Sequence, residues 1–159
     1  SNGWAAAEIE LGLLTERGEG VRKDPVEAMR LYKSAAETGN PVAQYHLGRC
    51  YQFGVGAAVD HALAVRWYHE AAAAGYPPAQ SDLGVMLVLG QGTIKDPEQA
   101  AHWFEQAARA GNVDAQYNLG RVYLLGEGRS ADRAAARHWL GTAASRGHQQ
   151  AAELLDTIR

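Results

Sequence analysis

Residues 41–76 read PVAQYHLGRCYQFGVGAAVDHALAVRWYHEAAAAGY, and variants of this stretch fill almost the whole chain. The register is strict. Gly12, Gly48, Gly84 and Gly120 share one phase, each number exceeding the last by 36. Gly18, Gly54, Gly90 and Gly126 share a second, and each is followed two positions later by Gly20, Gly56, Gly92 or Gly128. Asp24, Asp60, Asp96 and Asp132 recur, as do Ala28, Ala64, Ala100 and Ala136. Leu31, Trp67, Trp103 and Trp139 fill one large apolar slot, and Gly39, Gly75, Gly111 and Gly147 close each unit. A fixed period of this length is the mark of a repeat architecture.

Within 41–76 the apolar residues Ala43, Leu47, Cys50 and Tyr51 fall three or four apart, one stripe of a first helix. Gly54 ends it where a left-handed residue is favoured. Asp60 stands as the N-cap of a second helix, its carboxylate accepting from the free amides of the first turn. Asp24-Pro25 and Asp96-Pro97 strengthen that reading, since proline at the first helical position gives up an amide that has no partner there. In the second helix Ala64, Trp67, Tyr68, Ala71 and Ala72 face inward, and Gly75 stops it. Helices are thus predicted near 5–16, 25–38, 41–53, 61–74, 77–89, 97–110, 113–125, 133–146 and 149–158. Gly48 and its equivalents lie inside a helix, where glycine costs about 1 kcal/mol relative to alanine. Close approach of the second helix offsets that cost, with Ala-Ala pairs nesting on the next unit and the rings of Trp67, Trp103 and Trp139 filling the gap between. The expected fold is all-α: a right-handed α-solenoid of four helix-turn-helix repeats, 5–40, 41–76, 77–112 and 113–148, with a capping helix at 149–159. Residues 1–4 read as a tag scar and N-terminal edge, with Trp4 capping the open end or packing on a preceding unit.

The pattern A-x-Y-x-L-G-x-x-Y-x-x-G-x-G, then D-x-x-x-A-x-x-W-Y-x-x-A-A-x-x-G, resembles the Sel-one-like repeat (SLR), a relative of the tetratricopeptide repeat. Ala43, Tyr45, Leu47, Gly48, Tyr51, Gly54, Gly56, Asp60, Ala64, Trp67, Tyr68, Ala71, Ala72 and Gly75 carry the likeness, and Ala115 to Gly147 carry it again. Ser81 replaces the tyrosine in the third unit, and Leu140 the second aromatic in the fourth. The resemblance implies a protein-binding scaffold, with a bacterial envelope or signalling setting. Disulfide-bridged units, known in the family, are excluded by the single cysteine, Cys50.

Composition narrows the function further. The chain has 159 residues, 47% hydrophobic and 21% charged, with a net charge of -3. That is globular usage with the wrong sign for a general nucleic-acid binder, and no apolar run is long enough to span a bilayer. The fourth repeat alone is basic, at +2. The four G-x-G pairs lack the preceding strand and third glycine of a dinucleotide fingerprint, so they read as turns. His102 and His138 stand one repeat apart, about 10 Å at helix-packing distance. His61 and His69 stand about 12 Å apart along one helix. Neither pair has ligand spacing, and no metal or other cofactor is expected. Cys50 reads as a buried small hydrophobe, whereas His46 is a candidate groove residue. Glu16, Asp82 and Glu127 fall in different units, so no paired acids are in place for catalysis.

In solenoids of this kind the first helices line the concave side. The positions left to a partner are Tyr45, Arg49, Gln52 and Phe53 in the second unit, Ser81, Val85, Val88 and Leu89 in the third, and Tyr117, Arg121, Leu124 and Leu125 in the fourth. Tyrosine and arginine dominate interface energetics, and Arg49 and Arg121 flank an apolar middle. The expected partner is a protein or peptide segment with an apolar centre and acidic ends. The alternative is a structural spacer in a larger envelope or polarity protein, with binding done elsewhere.

Overall fold

The computed structural model describes residues 2–158, and among these it contains nine helices and no strand. They are α1 (Asn2–Arg17), α2 (Pro25–Glu37), α3 (Pro41–Phe53), α4 (His61–Ala73), α5 (Pro77–Leu89), α6 (Pro97–Arg109), α7 (Val113–Leu125), α8 (Arg133–Ser145) and α9 (Gln149–Thr157). The fold is an all-α solenoid of four 36-residue repeats with a C-terminal helix. Apart from the earlier start of α1, every helix end lies within one residue of the sequence expectation.

The second-helix starts and the Gly54 stop form for the anticipated reasons, and the other caps are added by the structure. The carboxylates of Asp24, Asp60, Asp96 and Asp132 accept from first-turn amides of α2, α4, α6 and α8. Asn40 and Asn112 do the same for α3 and α7, and the Nδ1 of His148 caps α9. Gly54 adopts φ 72°, the left-handed geometry that closes α3. The second glycine of the last three pairs answers to a close approach: a Cβ on Gly56 would run into the Pro25 carbonyl oxygen, one on Gly92 into the His61 carbonyl and one on Gly128 into that of Pro97, whereas one on Gly20 would meet nothing within 4 Å. The G-x-G loop therefore lies on backbone at the start of the preceding repeat's second helix.

The chain divides into two compact units. The first holds the residues up to Ala79 with Gln91–Thr93, the second Gln80–Gly90 with Ile94 onward. In the first, Ala28, Tyr32, Ala35, Ala36, Ala43, Leu47 and Cys50 are buried together, with α2 packed on both α1 and α3. In the second, α6 packs on α7 and α7 on α8. There Ala136, Leu140, Ala143, Ala151 and Ile158 bury a common cluster.

The close approach expected at the helix glycines is present, and the structure shows which residue makes it. The tryptophans do not face the helix glycines. A Cβ on Gly48 would meet the Tyr68 ring at 2.7 Å, on Gly12 the Tyr32 ring at 2.6 Å, on Gly84 the Phe104 ring at 2.5 Å, and on Gly120 Leu140 at 2.6 Å. The residue after each tryptophan slot is thus the one buried on glycine, while Trp67, Trp103 and Trp139 are only half-buried. Adjacent helix positions point about 100° apart, so both lie near the apolar sector, and the deeper one is fixed by the glycine opposite.

Candidate interaction surface

Among the first-helix residues expected to meet a partner, Tyr45, Arg49, Gln52 and Phe53 belong to the first unit. Tyr45 is half-buried in an aromatic group, with its ring centroid 5.5 Å from His46, 5.7 Å from Tyr68 and 5.3 Å from Tyr76. His46 stacks on Tyr32 at 5.0 Å, so it is a packing residue more than a groove residue. The Arg49 guanidinium lies 5.7 Å from the Phe53 ring centroid, and Phe53 is exposed. Gln52 is occupied, its side-chain oxygen accepting from the Tyr68 hydroxyl at 2.6 Å.

In the second unit the remaining positions separate. Ser81 is 3% exposed, which removes it from any docking surface. Leu124 packs against the terminal cluster, and Tyr117 stacks on His148 at 4.5 Å. Val85 and Val88, by contrast, join Leu89, Phe104, Asn118, Arg121, Val122, Leu125 and Glu127 around one hollow of about 250 Å³. Its walls come from α5 and α7 and its floor includes Phe104 of α6. Leu89 and Leu125 stand at its mouth, 59% and 56% exposed. Arg121 sits at the edge, its guanidinium 5.7 Å from the Tyr117 ring centroid, and among the described residues no carboxylate pairs with it.

The hollow's apolar character follows from a pairing across sixteen residues. The Tyr32 hydroxyl donates to Glu16 at 2.8 Å, and the Tyr68 hydroxyl to Gln52. At the corresponding positions Phe104 stands opposite Val88 and Leu140 opposite Leu124. Where the second helix offers a hydroxyl, the first supplies an acceptor; where it offers none, the first supplies an aliphatic. An unpaired polar group there would carry its full desolvation cost. The Val88–Phe104 exchange leaves an apolar recess where the first unit has a closed hydrogen bond. The sequence contains this signal, but it shows only once the partner of each glycine is known.

Chemistry is muted. Burial pushes the Cys50 thiol up to about 12, far from a nucleophilic thiolate at neutral pH. Burial, then the nearby Arg49, lowers His46 below the usual histidine range. Among the described residues no group of three or more histidine, cysteine, aspartate or glutamate side chains stands ready for a metal ion. No described helix is long and apolar enough to cross a membrane.

Stacked helix pairs of constant length, glycines admitting the second helix, and a first-helix surface free to vary define a helical repeat protein of the tetratricopeptide-like class. The Sel1 repeat family profile matches residues 5–40, 41–76, 77–112 and 113–148, and the chain belongs to that family. Among solved structures it is similar to a Sel1 repeat protein from Oxalobacter formigenes, at 36% identity and TM-score 0.89, over 99% of this chain and 46% of that one. It is also similar to c5321, a protective antigen of uropathogenic Escherichia coli strains displaying an SLR fold, at 38% identity and TM-score 0.95, over 99% of this chain and 34% of that one. Helicobacter pylori cysteine rich protein B shares the fold at 21% identity and TM-score 0.65, over 87% of this chain and 99% of that one. The chain spans less than half the length of the first two. No curated protein matches it. Sel1-repeat proteins are generally protein-interaction scaffolds, and their fold is typically non-enzymatic.

Proposed function

We propose that this chain is a protein-binding module whose contact surface is the exposed side of its first helices, and that the hollow between α5 and α7 anchors the partner. The observation carrying this reading is an apolar recess with two exposed leucines at its mouth and, on its edge, an arginine that lies over the Tyr117 ring and has no carboxylate partner among the described residues. Such a site accepts one bulky aliphatic or aromatic side chain, with a neighbouring carboxylate meeting Arg121. The partner is a peptide or protein segment with an apolar centre and an acidic flank. Arg49 and Phe53 form a second, smaller contact patch on the first unit. The setting that fits is an adaptor in bacterial signalling or envelope assembly, since the similar structures include bacterial proteins more than twice as long. That greater length also favours a second reading, a spacer segment whose larger protein binds elsewhere.

A random-peptide library displayed on phage and selected against the wild-type chain separates the two. The module reading expects enriched sequences with one large apolar residue next to an acid. Their affinity should fall about tenfold or more in Arg121→Glu, with the helical circular dichroism spectrum unchanged, as loss of a charge-assisted contact predicts. No enrichment, or equal affinity in the variant, favours the spacer.

A further inference from the structure

The rim of the α5–α7 hollow carries two charges of opposite sign, and both come from one wall. Arg121 lies on α7 one turn before Leu125, and Glu127 follows directly on Gly126, the residue that closes the helix. Along that wall the order is cation, apolar mouth, anion. The α5 wall answers with Val85, Val88 and Leu89 and brings no charge. Both charged side chains are exposed, and among the described residues neither stands in an ion pair. Arg121 rests over the Tyr117 ring. Arg129, two residues beyond Glu127, turns instead to Glu105 of α6, which also holds Arg109. Asn118, on the same wall, has no hydrogen-bond partner for its side-chain amide among the described residues. Glu127 is presented from a fixed loop. It stands between Gly126 at φ 69° and Gly128 at φ 78°, and a Cβ on Gly128 would strike the Pro97 carbonyl, so the loop is seated on the start of α6. At the same end the last carbonyls of α7 point out of the helix and favour a cation.

We propose that Glu127 is a specificity-determining residue of this hollow, and that the segment bound there carries a basic residue on the far side of its apolar anchor from the acid that meets Arg121. The inference rests on the reading of the hollow as the partner's anchor point and adds a direction to it. Opposite charges at the two ends of one wall admit a segment in one orientation only. Reversed, its acid would face Glu127 and its base Arg121, and like charges brought together at an interface oppose binding. A segment with acids on both sides, which Arg121 alone would accept, is rejected by Glu127. Asn118 offers a donor and an acceptor together, the pair that a peptide group needs. Both rim charges are exposed, so they decide which segment binds, and which way round, more than how tightly.

The test is a charge exchange. Peptides selected from the random phage library on the wild-type chain are synthesised and titrated by fluorescence anisotropy. They should carry an acid, a large apolar residue and a base in one constant order. Glu127→Gln should weaken their binding about threefold, the range of an exposed ion pair. Glu127→Lys, which also repels the base, should weaken it about tenfold with the helical circular dichroism spectrum unchanged. Exchanging acid and base in the peptide should weaken binding to the wild-type chain and restore it in the double variant Arg121→Glu, Glu127→Arg, a reversal that a general loss of packing does not give. If the double variant loses its helical spectrum, reselection on Glu127→Gln decides: the base should vanish from the enriched sequences while the acid and the apolar residue stay. Enriched peptides with no base at a fixed place, or equal affinity in Glu127→Lys, overturn this inference and leave the hollow as the anchor. Absence of any enrichment, or indifference to Arg121→Glu, removes the anchor itself and this inference with it.

Discussion

Glycine within a helix has opposite consequences at two places in this chain, and the difference is one of distance. At Gly48 an added methyl would lie 2.7 Å from the ring of Tyr68, which is fully buried and held through its hydroxyl by Gln52. The gain in helix propensity is about 1 kcal/mol, and the overpacking penalty runs to about 1–3 kcal/mol. Gly48→Ala is therefore expected to lower stability in urea denaturation. At Gly141, inside α8, the nearest atom is Leu155 Cδ2 at 3.9 Å, so Gly141→Ala should raise stability by about 0.5–1 kcal/mol. The Cys50 thiol, with its ionisation pushed up by burial, should react with a disulfide reagent at pH 8 only as fast as the protein opens, and at once in urea. His46 supplies a pH dependence. Its folded-state value is lowered by burial first and Arg49 next, with Glu16 opposing and Arg17 adding to the lowering. Above the unfolded value of about 6.5 both states are neutral. Below it the unfolded chain takes up the proton first, so stability falls as pH falls until the folded value is passed. Urea titrations at pH 7.5 and 5.0 should show a smaller loss in His46→Asn than in wild type.

The helices were the most legible part of the sequence because each boundary is written by one residue type with one physical task. Asp24, Asp60, Asp96 and Asp132 announce starts, and Gly54 and its equivalents announce stops. Removing one such signal should cost what a cap contributes: Asp96→Ala is expected to lose about 1 kcal/mol in thermal or urea unfolding, through the amide of Gln99. Less legible was anything needing two helices at once. The choice between Trp67 and Tyr68 as the residue opposite Gly48 turns on which of two adjacent positions the neighbouring backbone admits. The burial of Ser81 is a matter of what packs around it, which a serine in a tyrosine slot does not announce. The cap made by His148 comes from a residue type that seldom announces a helix start. The hollow was half visible: Val85, Val88, Leu89, Arg121 and Leu125 stand out as unclaimed positions, but Phe104 and Val122 enter only through packing.

For the molecule as a whole, four copies of one stacking solution leave the first-helix surfaces free to differ, and the proposed function rests on that difference. The first unit closes its helix pair with tyrosine hydroxyls on Glu16 and Gln52; the second opens an apolar recess beside Arg121. The central claim is that this recess, and not a reaction centre or a loop, is where the chain meets its partner. The most direct measurement is amide chemical-shift mapping by NMR, titrating the wild-type chain with a library-selected peptide bearing an apolar residue beside an acid. The account predicts that the largest shifts cluster at Val85–Leu89 and Asn118–Glu127. Shifts concentrated instead on the second helices or the glycine loops, with those two segments unmoved, would contradict it.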